Sequence, residues 1–426
     1  MKQYELFNEA KIVFQTPQEQ SFWFGYYNYC PMNQSGDKIL SQKVVFDGRD
    51  IQKEDTAEVG WFSIDNQSWH PIGSSAAVNW QQGCMTQWFY EDGNEYILYN
   101  DVEDSHFVTR IKDTDGNLIR TIPYPIYGIN SKEGFSISVD FERSYWCRAY
   151  HYESIVNNDL NVPVAYGDGV FRIDLRTGER KLIIPIEKII EKGGVDEFRN
   201  AKHWVEHIML NPSGNRFAFY HRYDAGNGYK TRAFTANVDG TGLYLLPDWQ
   251  LNDWSHLGWK DDEHFVIFGI KRKPIGEAYQ SVVRSTGMIG NLLRKVYRAT
   301  LAKLVTPQMH HKIAASSCYQ LYEDQHGKIG QYDVGLLVHD GHPSFTKDGR
   351  YMLTDTYADG EGYRHLMIFD IEKNKLTEIG KFFSPFNACS YRADLHPRFS
   401  ADESKVIIDS AHSGRHQMVV IERGNK

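Results

Sequence analysis

The strongest constraint on this chain is a unit that recurs seven times. Each copy is an apolar strand, a tight turn of the type Asn/Lys-x-Ser/Asp-Gly, and a second apolar strand. The copies occupy residues 32–40, 89–98, 130–138, 210–219, 259–268, 345–353 and 399–408. Gly or Asp at the turn supplies the backbone geometry that a tight hairpin needs. A second hairpin follows each copy, as at 171–183, 234–246 and 369–376. One such unit cannot bury both of its faces, so repeats must stack on one another. Four strands per unit and seven units predict an all-β fold, a seven-bladed β-propeller built as a single domain over residues 1–426. The last blade has only three strands of its own, so Lys11-Ile-Val-Phe-Gln15 is expected to supply the fourth and close the ring.

One insertion interrupts the pattern. Residues 271–317, in the fifth blade, space Met288, Leu292, Val296 and Leu301 as on a helix. They hold nine Lys and Arg against the single acid Glu277. A basic amphipathic helix in a chain of formal charge −8 has three readings: a helix packed on the blade, a lid over an anionic substrate, or a peripheral contact with a membrane or protein. The acidic balance argues against nucleic acid as a partner. Aromatic residues make up 14% of the chain, which suits both strands and surfaces that stack on sugar rings. Five scattered Cys without a CxxC, and a start without an apolar signal region, predict reduced thiols and a cytoplasmic location. No run of about 18 apolar residues suggests a membrane span.

A second repetition sits on the first. The residue seven before each turn's last position is Tyr29, Thr86, Tyr127, His207, His256, His342 and His396 in order. In a propeller the first strand of each blade lines the axis, so four imidazoles on adjacent blades should converge at one mouth. The second strands are expected to bring Gln42, Asn100, Asp140, His221, Asp355 and Asp409 to the same face. Imidazoles with nearby carboxylates suit a divalent metal such as Zn or Mn, and His256, His342, His396 and Asp355 are the expected ligands. A hydrogen-bonded histidine cluster, with His-Pro as a structural feature of the repeat, is the alternative. Asp340 and Asp394 are ligands or ring-orienting partners on this view.

Several motifs then fit together. They are Gly25-Tyr-Tyr-Asn-Tyr-Cys-Pro31, Gln81-Gln-Gly-Cys-Met-Thr-Gln-Trp88, Tyr99-Asn-Asp101, Phe219-Tyr-His-Arg222, Asp340-Gly-His-Pro-Ser-Phe345, Asp394-Leu-His-Pro-Arg-Phe399 and Asp409-Ser-Ala-His412. This set resembles the seven-bladed propeller polysaccharide lyases, chiefly the ulvan lyases and more distantly the oligogalacturonate lyases. The resemblance implies β-elimination across C4–C5 of a uronic acid. It implies a His or Tyr base, an Arg or cation on the carboxylate, and a metal held near the axis by His256, His342 and His396. It puts forward His207 or His221 as base, Arg222 for the carboxylate, and Tyr150 or Tyr152 as acid or base. Tyr27, Gln82, Asn100 and Tyr223 are the expected substrate contacts.

The chain departs from that family in two respects. The ulvan lyases are secreted, and no export signal is read here. Cys84 and Thr86 stand where those lyases carry a histidine in the second blade, with His106 as the candidate stand-in. Two functions are therefore expected: a metal-containing lyase acting on an acidic oligo- or polysaccharide, or a non-catalytic glycan-binding or scaffold propeller of surface-polysaccharide biosynthesis. No GxSxG, P-loop or HExxH supports a peptidase or nucleotide-binding reading.

Overall fold

The structure is a computed structural model and describes residues 3–148, 152–155, 161–226, 228–272, 315–386 and 390–424. Seven antiparallel sheets follow one another along the chain, as the repeat predicts. They span residues 21–75, 87–122, 128–185, 202–245, 252–332, 344–383 and 398–422, which we number blades 1 to 7. The turn glycines do what their spacing implies: Gly36, Gly93, Gly134, Gly214 and Gly349 all lie at φ between 66° and 78°. In blade 7 the same position is Glu403, at φ 60°.

Both faces of each blade are apolar, and the core lies in layers between neighbouring blades. Phe89, Leu98 and Ile111 of blade 2 pack on Ile173 of blade 3. Ala218 and Tyr220 of blade 4 meet Trp254 and Phe265 of blade 5. Leu353 and Leu366 of blade 6 meet Val406 and Ile408 of blade 7. Closure is by the N-terminus. Lys11–Gln15 pairs antiparallel with Gln417–Glu422 and buries Phe14 against blade 1. Tyr4–Leu6 also pairs with Lys375–Phe383 and gives blade 6 a fifth strand, which the sequence reading did not foresee.

The insertion at 271–317 joins two paired strands of blade 5, His264–Arg272 and Ala315–Glu323. The helix expected within it lies outside the described residues. No helix among the described residues is long and apolar enough to cross a membrane. Cys30, Cys84, Cys147 and Cys318 are free thiols.

The polar residues at the ends of the second strands serve the frame. Gln42 of blade 1 accepts from the Cys84 amide at the entry to blade 2 (2.9 Å). Asn100 of blade 2 accepts from the Ile126 amide (2.8 Å) and donates to its carbonyl (2.9 Å) at the entry to blade 3. Asp355 of blade 6 accepts from the Leu395 amide (3.1 Å), and Asp409 of blade 7 from the amides of Phe24 and Gly25 (3.0 Å each). Each joins its blade to the incoming segment of the next. Backbone donors buried at these crossings would otherwise be orphaned.

Candidate metal centre

The histidines reach the axis through local backbone irregularities. His207 and His256 sit at β-bulges in the first strands of blades 4 and 5, where the pairing register shifts between Glu206 and Met209 and between Trp254 and Leu257. A bulge re-aims the side chain it carries. His207 at φ 60° and His396 at φ 44° adopt a left-handed conformation that costs a non-glycine residue about 1 kcal/mol or more. His342 and His396 precede very short first strands, Ser344–Phe345 and Arg398–Phe399.

Three of the four imidazoles meet. The His256 and His342 rings lie 4.1 Å apart, centre to centre, and those of His342 and His396 4.3 Å. Tyr27 packs against all three at 5.2 to 6.1 Å, with its hydroxyl donating to the Leu257 carbonyl (2.6 Å). Tyr26 stands 5.4 Å from both His396 and His207. The fourth histidine is therefore a neighbour of the trio across Tyr26.

The carboxylates decide what the rings can do. His256 Nδ1 lies 3.0 Å from Asp340 Oδ1. His342 Nδ1 lies 2.9 and 3.1 Å from the two oxygens of Asp355. A carboxylate at Nδ1 holds the proton there and leaves the Nε2 lone pair for a metal. Asp394, His342 and His396 offer ligand atoms that all lie within 4.8 Å of one another. That separation is within reach of the roughly 2.0–2.2 Å bonds of a small divalent ion after slight closure. Burial, then the neighbouring His342 and Arg398, hold His396 well below the usual histidine range. Burial and His342 likewise lower His256. Both are thus neutral, the form that binds metal. Burial opposes ionisation of Asp394, but Arg364 and Arg392, 2.7 and 3.0 Å away, keep it below its ordinary value. The clustered donors, the imidazoles of His342 and His396 with the ionised carboxylate of Asp394, fit a divalent cation, and the His256 ring stands 4.1 Å from that of His342.

A second charged group surrounds His207, across Tyr26 from the trio. Glu206, fully buried, lies 2.7 Å from Arg148, 2.5 Å from Arg222 and 3.3 Å from His207 Nδ1. Although burial works against its charge, the two guanidinium groups hold its carboxyl well below the usual range. Burial pushes His207 down to about 4, so at neutral pH it carries no charge. His207 faces Tyr26, Tyr27 and Tyr220 across a cavity of about 10 Å³, room for a single water.

Several expected site residues are placed elsewhere, each for a visible reason. Asp355 is committed to His342 and to the amides of His342 and Leu395, so it stands behind a ligand and Asp394 takes the position beside the rings. His221 points into the layer between blades 3 and 4, where its Nε2 lies 3.0 Å from His203 Nδ1 under Phe198. Tyr152 is fully buried, stacked on Phe141 at 5.1 Å and bonded to Asn100. Asn100 spends its amide on the blade crossing. Gln82 donates to the Tyr127 hydroxyl (2.7 Å), and Tyr223 donates to Glu197 (2.6 Å) beside His203. Cys84 is fully buried, and burial pushes its thiol up to about 12. His106 is exposed at the rim of blade 2. Tyr150 lies outside the described residues. Tyr27 remains on the trio, His207 stands across Tyr26 from it, and Arg222 is joined to His207 through Glu206.

The reading of the sequence missed Glu206, Arg364, Arg392 and Tyr26. Glu206 adjoins a slot histidine and Arg392 stands two before Asp394, so both carried a proximity signal. Arg364 comes from a third strand, Tyr363–Asp370, and carried none.

No protein-family model matches the chain, and no curated protein matches it in sequence. Its fold is similar to that of a solved "Oligogalacturonate lyase in complex with manganese", at a TM-score of 0.62 and 14% identity over 99% of this chain and 96% of that one. An oligogalacturonate lyase from Vibrio parahaemolyticus gives a TM-score of 0.60 and 13% identity over 98% and 96%. The chain is thus a seven-bladed propeller with structural similarity to oligogalacturonate lyases. At these identities the similarity extends to the fold alone.

Proposed function

We propose that this protein is a metal-dependent lyase acting on an acidic, uronate-containing oligosaccharide by β-elimination. The observation that carries this reading is the trio His256, His342 and His396 with Asp394, two of the rings held by carboxylates at Nδ1. One of the solved lyases with this fold was obtained with manganese. When bound, a divalent ion supplies charge neutralisation to the substrate carboxylate, which acidifies the C5 proton. Arg222, pinned by Glu206 near His207, holds anionic groups of the sugar. His207 is the base: neutral, with Glu206 at Nδ1, it takes the C5 proton through the single water that its cavity admits. The C5 electron pair forms the C4–C5 double bond, the C4–O bond breaks, and the leaving oxygen takes a proton from solvent or a nearby hydroxyl. Tyr27 forms the floor of the site.

A second reading, glycan binding without turnover, is favoured by one observation. The second-blade position holds Cys84 and Thr86, both buried and bonded to Gln42, in place of a titratable imidazole.

The test is ultraviolet absorbance of the conjugated product on incubation with oligogalacturonate and other uronate oligomers, with Mn or Zn added and then chelated. A rise abolished by chelation and by His207→Asn supports the lyase. Saturable binding of the same oligomers with no rise supports the second reading.

A further inference from the structure

Asp394 belongs to two groups at once. It is one of the three residues whose ligand atoms cluster at the axis, and it is the carboxylate that Arg364 and Arg392 share. Arg364 is 1% exposed, and its Nε and Nη2 have no hydrogen-bond partner among the described residues. A buried guanidinium with open donors is costly, and native proteins keep one where a ligand will meet it. Tyr357 marks the direction: half-buried, its ring lies 5.5 Å from the Arg364 guanidinium, 5.6 Å from that of Arg392, and 6.0 and 6.2 Å from His342 and His256. The two cations and two of the imidazoles thus border one aromatic ring.

The charges around that ring do not balance once a divalent ion is held. Two guanidinium groups and the ion sum to four positive charges, set against Asp394, Asp340 and Asp355. One anion is wanting, at low local dielectric. An ion on Asp394 also draws its carboxylate electrons away from the arginines and weakens that pair.

We propose that Arg364 and Arg392 form a carboxylate-binding subsite coupled through Asp394 to the metal, so that the cation and the uronate carboxylate each strengthen binding of the other. This rests on the metal-dependent reading above and adds the residues that select an acidic sugar. Such coupling is reciprocal, with typical values of about 5- to 150-fold.

The experiment uses the full chain and D-galacturonate, which has no glycosidic leaving group at C4 and cannot be eliminated, with D-galactose as the neutral control. Galacturonate affinity is measured by calorimetry with and without Mn, and Mn affinity with and without galacturonate. The expected result is a gain of about 10-fold or more, equal in the two directions, and none for galactose. Arg392→Gln, at a partly exposed position, should lower the coupling to a few-fold or less while Mn still binds. Arg364→Lys, which keeps the charge but loses the planar fork, should lower it too, with thermal melting run alongside to show that the variant is folded. Mn binding that depends on His342 but leaves galacturonate affinity unchanged overturns the subsite and leaves the lyase reading standing. No Mn binding overturns both.

Discussion

Asp355 joins the frame to the site, which makes Asp355→Ala an informative perturbation. Its Oδ1 accepts from the His342 amide (2.8 Å) and from His342 Nδ1 (2.9 Å), and its Oδ2 accepts from the Leu395 amide (3.1 Å). The residue is 1% exposed, so water cannot readily replace it. Truncation leaves two backbone donors and one ring donor without an acceptor. At about 1–3 kcal/mol for each buried unsatisfied group, partly relieved by a water entering the space, the expected loss is about 3 kcal/mol of folding stability. The His342 ring also loses the partner that fixes its tautomer and aim. Removing such a partner typically weakens metal binding about 10- to 100-fold. Urea denaturation gives the first quantity and competitive Mn titration of the folded variant the second. A variant that loses less than about 1 kcal/mol, or binds Mn as the parent does, refutes the view that Asp355 orients His342 from behind.

Three further outcomes follow from the same structure. His412, bonded to Ser410 and close to Gln15 on the closing strand, is pushed by burial down to about 4. Because its folded value lies below the ordinary 6.5, its contribution is present above pH 6.5 and is lost as pH falls towards 4. Between pH 7 and pH 5 that is about 2 kcal/mol, so His412→Asn should flatten the urea-midpoint slope by that much; an unchanged slope contradicts it. Asp409→Ala strands the buried Arg398 guanidinium, 2.9 Å away, and two amides at the blade 7 to blade 1 crossing; the expected cost is about 3–5 kcal/mol by denaturation. Removal of residues 1–15 takes both N-terminal strands from blades 6 and 7 and should lower the melting temperature by well over 10 °C, as measured by calorimetry.

The fold was legible because a propeller writes itself as a period. The turn glycines, the apolar strands and the seven copies follow from one geometric need, and the closing strand follows from a count of strands in blade 7. Tyr4–Leu6 was not legible because three residues carry no periodicity. At the site, the slot histidines were legible by register, yet register alone could not separate His207 from the trio, since Tyr26 intervenes and comes from the connection between Ser21–Trp23 and Lys38–Val44 of blade 1. Second-strand polar residues share a register too, which made Asn100 and Asp355 look like site residues; their spacing reflects instead the backbone donors that every blade crossing must satisfy. His221 misled for a simpler reason. In a strand, neighbours face opposite ways, and Arg222 takes the face that meets blade 5 while His221 takes the layer against blade 3. Arg364 joins the site only through the third strand of blade 6, a long-range contact that no local spacing records.

On the proposed function, His256, His342 and His396, with Asp394, hold one divalent ion. Equilibrium Mn binding with elemental analysis, on the parent and on His342→Ala, tests it directly. The expected result is about one ion per chain for the parent, with affinity reduced at least about 100-fold in the variant while the blades stay folded. Binding that is undiminished in His342→Ala, or absent from the parent, would contradict it.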